Sequence, residues 1–308
     1  MHGSPSHPAS ICPVACFGAI HWDIIAHADR AILRDTSTPA RLDPKPGGVA
    51  TNVARTLSKL DIDTHLIGVT GADPAALAIQ AQLQRDGITS HIQERQGFDT
   101  GQYLALHDPD GSLTAACIDD QVLSTASMEH FQASANGLPK DALWLLDANL
   151  PADILEGLAG LAPTARLVAD AVSIAKAPRL KSVLPKLSLL ILNTSEAAAL
   201  TDLPDDTQAE KLSAILLDQG CSAVVITAGA APLHYRTGTT TGELHSPSAE
   251  IVDVTGAGDA LIAGTLAGLA RGADLHEALT YGQKAALITL QASGAAPDIL
   301  TWAAMSKS

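Results

Sequence analysis

The chain has 308 residues, which is long enough for one large α/β domain with an insertion or for two modest domains. Apolar residues make up 46% and charged residues 17%, and this balance indicates a well-packed globular protein rather than a disordered chain. Acidic residues outnumber basic ones by 33 to 19, which gives a net charge of -14. Nucleic acids and anionic membranes require clustered Lys and Arg, so we expect neither as a partner.

The cysteines and the N-terminal residues show no metal-binding or targeting pattern. Cys12, Cys16, Cys117 and Cys221 lack the Cys-x-x-Cys spacing of a zinc site, and free thiols are typical of a reducing cytoplasm. No apolar run approaches the roughly 20 residues that span a bilayer. The polar, Pro-rich residues 1–10 do not resemble a signal peptide. We predict a disordered tail there and a cytoplasmic protein.

The first half of the chain predicts strands that alternate with helices. Residues 14–20 are apolar and predict a buried strand, which places Asp23 just past its carboxyl end. The weakly alternating segment 24–42 predicts short strands of a peripheral lid. Further elements are predicted as a helix at 49–60, a strand at 65–69 and a helix that begins after the N-cap Asp73.

The second half adds a hairpin and then resumes the alternation. A β-hairpin is predicted around the Asp-Pro-Asp-Gly turn at 108–111, and with the earlier segment it forms a small antiparallel lid. We place the lid strands at about 24–45 and 98–119. Strands are then predicted at 143–146, 166–169, 189–192 and 223–227, and a last helix at about 275–292. The pattern predicts one α/β domain over residues 11–308 with a mostly parallel sheet.

Residues 253–259 (Asp-Val-Thr-Gly-Ala-Gly-Asp) predict a phosphate site. A Gly/Ala turn that opens a helix directs backbone N–H groups outward at the positive end of the helix dipole, where they bind anions. Asp259 would repel an anion, but it is well placed as the base that deprotonates an attacking hydroxyl. The alternative is an ordinary strand-to-helix turn, and the acidic residues at both ends of the motif favour the catalytic interpretation.

Residues 47–52 (Gly-Gly-Val-Ala-Thr-Asn) predict a substrate contact. The two glycines, Gly47 and Gly48, let a substrate approach the backbone closely. Asn52 lies one turn into the predicted helix, where its amide can donate to and accept from sugar hydroxyls. The alternative is a Gly-Gly turn before a helix whose Asn faces solvent.

Two further motifs follow predicted strands. Asn193 and Glu196 can jointly hold a hydrated magnesium ion against phosphate oxygens, although the same spacing is that of a helix capping box. Asp170 and Lys176 place a carboxylate and an ammonium group in one short loop. The alternative for Lys176 is a solvated residue on a basic face.

Together these motifs resemble those of the PfkB family of sugar and nucleoside kinases, in the same order along residues 14–297. The resemblance implies a ribokinase-like fold, which is a three-layer α/β/α sandwich, and a kinase that uses ATP and Mg²⁺. It implies that Asp259 is the general base and that the amides of Gly256, Ala257 and Gly258 form the anion hole. Other implied roles are substrate binding by Asp23, Gly47, Gly48 and Asn52; Mg²⁺ binding by Glu196 and Asn193; K⁺ binding by Asp253 and Thr255; and nucleotide binding by Asn193, Thr227, Gly229 and Gln283.

The loop 170–176 (Asp-Ala-Val-Ser-Ile-Ala-Lys) resembles the corresponding loop of pseudouridine kinases, a branch of this family in which Pro is usual at the position of Ala171. Asn149 and Gln283 also resemble that branch. The resemblance implies phosphorylation of the 5′-hydroxyl of a ribosyl nucleoside, above all pseudouridine, with Lys176 as a substrate contact. The alternatives are a ribokinase, fructokinase or adenosine-type kinase, and a nucleoside-binding protein without catalysis.

The chain departs from the family pattern at its nucleotide loop. Residues 227–232 (Thr-Ala-Gly-Ala-Ala-Pro) keep only the first half of the Thr-x-Gly-x-x-Gly that is frequent in the family. Related kinases often dimerise through their lid sheets, so the resemblance also implies a homodimer. Its expected partners are otherwise small-molecule nucleosides or sugars.

Overall fold

The computed structural model describes residues 11–161, 166–246 and 250–306, and the predicted tail at 1–10 lies outside them. The strands in this part of the chain are β1 Val14–Phe17, β2 His21–Ala28, β3 Ala40–Gly47, β4 Thr64–Thr70, β5 Thr89–Glu94, β6 Gly101–His107, β7 Leu113–Asp119, β8 Leu143–Asp147, β9 Arg166–Asp170, β10 Leu187–Asn193, β11 Ala223–Ala228, β12 Ala231–Thr237 and β13 Thr241–Leu244. The helices are α1 Val49–Lys59, α2 Pro74–Arg85, α3 Gln121–Ser124, α4 Glu129–Gly137, α5 Ala152–Leu161, α6 Thr194–Thr201, α7 Ala209–Asp218, α8 Ala257–Ala270, α9 Leu275–Leu290 and α10 Trp302–Met305.

Nine strands form the large sheet, in the order β13-β12-β11-β10-β9-β8-β1-β4-β5. The seven strands from β11 to β5 pair in parallel, and β12 and β13 add an antiparallel hairpin at one edge. The central parallel strands match the predicted ones. The edge strand β5 and the edge hairpin were not predicted from the sequence, because their short, polar segments lack a continuous apolar run.

Helices cover both faces of the large sheet, which confirms the predicted three-layer α/β/α sandwich. Alternate residues of β1 enter different cores: Phe17 packs with α4 and α5 on one face, and Cys16 with α1 and α8 on the other. The Phe17 and Trp144 rings lie 4.7 Å apart between β1 and β8. Strands buried on both faces account for the uninterrupted apolar runs of the sequence.

The lid is a second sheet of four strands in the order β3-β2-β6-β7. Its two outer pairs are antiparallel, as predicted, and they are joined by a parallel pairing of β2 with β6. The lid therefore consists of two segments of the chain, β2-β3 and β6-β7, and α1, β4, α2 and β5 lie between them in the sequence.

The predicted strand at 14–20 is too long, and this changes the position of Asp23. β1 ends at Phe17, and the chain bends at Gly18, which approaches Asp147 so closely that a Cβ there would lie 2.1 Å from its carboxyl carbon. Asp23 belongs to the lid strand β2 instead of the edge of the large sheet.

Two helix predictions are confirmed by their caps. α1 spans Val49–Lys59, one residue shorter than predicted, and its N-cap is Gly48. α2 begins at Pro74 after the N-cap Asp73, whose side chain accepts a hydrogen bond from Ala76 N. Within the described ranges, no helix has both the length and the apolar character needed to cross a bilayer.

Candidate active site

The carboxyl ends of the parallel strands bring polar residues together. Asp147 ends β8 and Asp170 ends β9, and the two residues are register partners. Asn193, the last residue of β10, pairs with Thr227 of β11. Ligands of open α/β sheets bind at this edge, so the strand ends define the floor of a candidate site.

The motif predicted to bind substrate and the motif predicted to supply the base are in direct contact. α1 packs against α8, and Asn52 of α1 is 8% exposed. Asn52 Nδ2 donates a hydrogen bond of 2.8 Å to Asp259 Oδ2. The alternative in which Asn52 faces solvent is therefore wrong.

Asp259 has the electrostatic environment of a general base. Burial raises its pKa to about 7, the carboxylates of Asp147 and Asp23 add to this effect, and the hydrogen bond from Asn52 opposes it. A group with this pKa can accept a proton from a hydroxyl near neutral pH. The residue as a whole is partly exposed, which is compatible with the approach of a substrate hydroxyl.

The turn before α8 has unpaired backbone donors. Gly256 is the N-cap with φ 75°, and a side chain there would lie 2.3 Å from the Ala295 Cβ. Among the described residues the N–H groups of Gly256 and Gly258 have no acceptor, and Ala257 N makes only a 3.4 Å contact with Val254 O. The space beside Gly258 is open. Free donors at a helix N-terminus can bind a phosphate group.

Asp23 faces the Gly-Gly turn from the lid. A Cβ at Gly47 would lie 1.9 Å from Asp23 Oδ2, so only glycine leaves room for this carboxylate. Burial raises the pKa of Asp23 to about 6, although His21 and Lys45 lower it. Asp23 Oδ1 is buried and has no hydrogen-bond partner in the described part of the chain. A ligand hydroxyl would supply the missing donor.

Asp147, which was not among the predicted site residues, organises the start of α1. Its Oδ2 accepts hydrogen bonds from Ala19 N and Ala50 N, each 3.0 Å long. The N-cap Gly48 has φ 91° and no side chain, so Asp147 caps this helix from a different strand. The sequence gives an Asp at the end of an apolar run, but its partners are 97 and 128 residues away, and no local pattern predicts them.

Asn193 and Glu196 form the capping box that was the alternative interpretation of their spacing. Asn193 Oδ1 accepts from Glu196 N at 2.9 Å, and Glu196 Oε2 accepts from Asn193 N at 2.8 Å. Glu196 is nevertheless 7% exposed, and burial raises its pKa although the hydrogen bonds from Asn193 lower it. Capping therefore occupies one carboxylate oxygen of a buried acidic group.

Asp170 completes a group of acidic side chains at the strand ends. Burial raises its pKa well above the ordinary value, and the nearby Glu196, Asp259 and Asp147 raise it further. None of these four carboxylates forms an ion pair with a cationic side chain of the described residues. Buried, uncompensated carboxylates fit a divalent cation with oxygen ligands, as the implied Mg²⁺ requires.

The loop that follows β9 is strained and is hydrogen-bonded to the loop that follows β8. Val172 adopts φ 64°, which is unfavourable for a β-branched residue and is found mostly at functional sites. Lys176 Nζ donates to Asn149 Oδ1, and Arg179 donates to the backbone oxygens of Ala148 and Asn149. Because Lys176 has this partner, the alternative of a simply solvated lysine is wrong.

Asp253 binds two loops together. Its carboxylate accepts from Thr255 N at 2.8 Å and from Gly294 N at 3.0 Å. Burial alone would raise the pKa of Asp253, but these hydrogen bonds bring it below the ordinary value. The group is therefore ionised at neutral pH and fits the predicted role in a cation-binding loop.

Lys45 is a neighbour of the site that sequence reasoning missed. A Cβ at Gly294 would lie 3.6 Å from Lys45 Nζ, and the lysine charge lowers the pKa of both Asp23 and Asp253. The one feature of the sequence that could have indicated a role for Lys45 is its position two residues before Gly47.

The predicted nucleotide-binding residues occupy two places. Thr227 lies beside the strand ends, where its backbone oxygen accepts from Thr194 Oγ1 at 3.4 Å. Gly229 follows with φ 62° and open space around it. Gln283 of α9 is buried and donates to Leu244 O and Ser246 Oγ at the end of β13, rather than to Asn193 or Thr227.

The chain matches the model of the pfkB family of carbohydrate kinases over residues 13–302, and it belongs to that family. It is accordingly a kinase, as its motifs predicted.

Relatives with named activities extend over nearly the whole chain. Pseudouridine kinase of Escherichia coli (strain K12) is 23% identical over 274 residues, which cover 88% of each chain. Guanosine-inosine kinase of Exiguobacterium acetylicum is 25% identical over 300 residues, or 93% of this chain and 98% of the other. The structure of an E. coli protein assigned as ribokinase II, in complex with ATP and Mg²⁺, superimposes with a TM-score of 0.82. The match covers 96% of this chain and 97% of the E. coli chain, at 18% sequence identity. The fold is therefore ribokinase-like, as predicted.

Proposed function

We propose that this kinase transfers a phosphoryl group from ATP to the 5′-hydroxyl of a ribosyl nucleoside, converting pseudouridine to pseudouridine 5′-phosphate. The observation that carries the proposal is the contact of Asn52 with Asp259 beside the free amides of Gly256 and Gly258. This arrangement supports the proposal, because an amide, a carboxylate of raised pKa and free backbone N–H groups lie in the first turns of two packed helices.

Asp259 removes the proton of the acceptor hydroxyl. Asn52 holds one carboxylate oxygen, so the other oxygen faces the hydroxyl as attack begins. Asp23 Oδ1, which has no donor among the residues that the structure describes, accepts from a second ribose hydroxyl, while Gly47 and Gly48 leave space for the sugar. Positioning and a general base are the main demands that phosphoryl transfer makes on a protein.

The phosphate groups lie against the α8 N-terminus. N–H groups of residues 256–258 donate to the oxygens of the transferred group and stabilise their charge. Mg²⁺, when bound, neutralises phosphate charge, and Glu196 with Asn193 would hold it, because Glu196 is a buried carboxylate that forms no ion pair with the residues the structure describes. Asp253 and Thr255 would hold K⁺ beside the same turn, and Thr227, Gly229 and Gln283 would contact the nucleotide. The ATP and Mg²⁺ bound to the structural neighbour of the same fold support this arrangement.

The nucleobase is recognised where Lys176, in the loop after β9, is hydrogen-bonded to Asn149, in the loop after β8. These polar groups lie near one end of the acidic strand-end cluster, and both can bond to uracil oxygen and nitrogen atoms. The E. coli pseudouridine kinase supports this substrate, whereas the guanosine-inosine kinase supports a purine nucleoside as the alternative. A ribokinase, fructokinase or adenosine-type activity is the remaining alternative within the family.

A panel of acceptors tests the substrate. We expect ADP release with pseudouridine to exceed that with uridine, guanosine, adenosine, ribose and fructose, when each is assayed with ATP, Mg²⁺ and K⁺. Lys176→Ala should raise KM for pseudouridine at least about tenfold, while Lys181→Ala, five residues along the chain and bonded to Asp202, serves as the control. Turnover of ribose or fructose alone would reject the nucleoside assignment.

The lid supports a homodimer as the working form. β7 is exposed along its whole length, Leu104 of the adjacent strand β6 is 38% exposed, and Leu42 of the opposite edge strand β3 is 61% exposed. Exposed apolar side chains on an open sheet favour pairing with a second copy.

A further inference from the structure

A cluster of potential metal ligands lies outside the candidate active site, at the edge of the large sheet. Glu210 is in the first turn of α7, His234 is in β12 and Glu243 is in β13. One ligand atom from each of these residues lies within 4.8 Å of the other two. His234 and Glu243 are register partners in the edge hairpin, and α7 packs against β12. Three separate elements therefore meet at this point.

The hydrogen bonds of His234 fix the position of its ring proton. His234 Nε2 lies 3.0 Å from Ser213 Oγ, and Ser213 Oγ donates to the backbone oxygen of Glu210 at 3.1 Å. A serine hydroxyl has a single proton, so Ser213 must accept from His234 at the same time. The ring proton is thus on Nε2, and Nδ1 presents a lone pair.

That lone pair has no partner in the described residues. His234 is 3% exposed, and its Nδ1 is buried without a hydrogen bond. The opposite tautomer would leave a buried N–H donor without an acceptor at the same position. Buried polar atoms are nearly always satisfied, and a cation held by the nearby carboxylates of Glu210 and Glu243 would accept this lone pair.

We propose that His234 Nδ1 and the carboxylates of Glu210 and Glu243 bind a divalent transition-metal ion of the Zn²⁺ class, with water in the open position. One imidazole and two carboxylates suit such an ion, and a set of three protein ligands leaves a fourth position free. The hydrogen bond from Nε2–H to Ser213 orients the ring as a ligand, which is the usual arrangement around a metal-bound histidine.

The charges around the cluster are compatible with a cation. Arg236, two residues further along β12, contributes one positive charge against two carboxylates. Both glutamates are exposed, so their side chains can adjust from the observed spacing to metal-ligand distances. The predicted absence of a cysteine zinc site is unaffected, because no thiol takes part.

A bound ion would cross-link α7 to the edge hairpin. β13 ends at Leu244, whose backbone oxygen accepts from Gln283. The same ion would therefore anchor the strand that leads to a predicted nucleotide-binding residue.

Zinc titration of the chelator-treated full chain tests this site. In calorimetry with excess Mg²⁺ present, we expect one equivalent of Zn²⁺ to bind and to raise the melting temperature. Glu210→Gln and Glu243→Gln should each weaken that binding at least about tenfold, because each removes a ligand at an exposed position. Glu156→Gln, an exposed glutamate on α5, is the matched control and should bind as the wild type does.

Co²⁺ provides a spectroscopic readout that does not depend on activity. The wild type should give the intense visible absorption of a low-coordinate Co²⁺ site, and both Gln variants should lose it. Equal Zn²⁺ affinity in the wild type, Glu210→Gln and Glu243→Gln would overturn the proposal. Loss of the ion only in Glu196→Gln would also overturn it, since that result places the ion in the active site.

Discussion

Asn52 and Asp259 are 207 residues apart in the chain and are joined by a 2.8 Å hydrogen bond from Nδ2 to Oδ2. The bond leaves one oxygen of Asp259 for the acceptor hydroxyl, and it favours the ionised form of the carboxylate against burial. Positioning and basicity of the candidate base therefore depend on a residue of the substrate motif.

Replacement of Asp259 tests its role as the base. We expect Asp259→Asn to fold normally and to lower kcat by about 10²–10⁴, because the variant keeps the shape and loses the proton acceptor. Turnover and thermal melting should be measured together, with the exposed Asp153→Asn on α5 as the control. Wild-type turnover in the Asp259 variant would show that another group accepts the proton.

The pH dependence of activity follows from the raised pKa of Asp259. Since the base works only when ionised, kcat/KM should rise with pH through about 7 and then level off. Asn52→Leu removes a hydrogen bond that lowers this pKa, so the rise should move to higher pH in the variant. If Asn52→Leu loses activity but its kcat/KM still rises at the same pH as in the wild type, Asn52 would act in sugar binding and would not lower the pKa of Asp259.

Asp147 should affect substrate binding without touching the substrate. Asp147→Ala leaves the buried N–H groups of Ala19 and Ala50 without an acceptor, and each costs about 1–3 kcal/mol of unfolding free energy. Because these groups lie beside Gly48 and α1, KM for the acceptor should also rise. Urea denaturation and acceptor titration measure the two effects. An Asp147→Ala protein of unchanged stability would contradict the capping role.

Asp23 links stability to pH in the opposite sense from an ion-paired carboxylate. Its pKa is raised to about 6 in the folded protein, so the folded state holds the proton more tightly than the unfolded state does. Its contribution is most favourable at acid pH and is lost as the pH rises through about 6. Asp23→Asn should therefore be more stable than the wild type at pH 8, by on the order of 1–3 kcal/mol, and this gain should shrink at pH 5. A gain of equal size at both pH values would exclude titration as its cause.

Assembly through the lid is tested with a charge on its exposed face. Light scattering should give a dimer mass for the wild type and a monomer mass for Leu104→Lys, because a charged group opposes burial in an apolar contact. Leu77→Lys on α2 is the control, since Leu77 is 66% exposed outside the lid. A monomeric wild type would reject the proposed dimer.

Local patterns were sufficient for much of the fold but only for part of the site. The parallel strands and the turn at 256–258 follow from apolar runs and from a Gly-rich helix start. Contacts between distant segments do not have such a signal: the capping of α1 by Asp147 and the bond of Lys176 to Asn149 depend on which strands become neighbours. The position of Asp23 was not predicted, because β1 ends at a bend three residues before the apolar run ends, and the close approach of Gly18 to Asp147 at that bend is a contact between distant segments.

The lid and the large sheet carry different parts of the candidate chemistry. Asp23 belongs to a lid strand, whereas Asp259 and the strand-end carboxylates belong to the large sheet and its helices. A single residue, Gly48, separates lid strand β3 from α1. Mutations that remodel the lid can therefore change which alcohol is accepted while the phosphoryl-transfer apparatus stays intact. This division gives one scaffold a route to diverge among sugars and nucleosides.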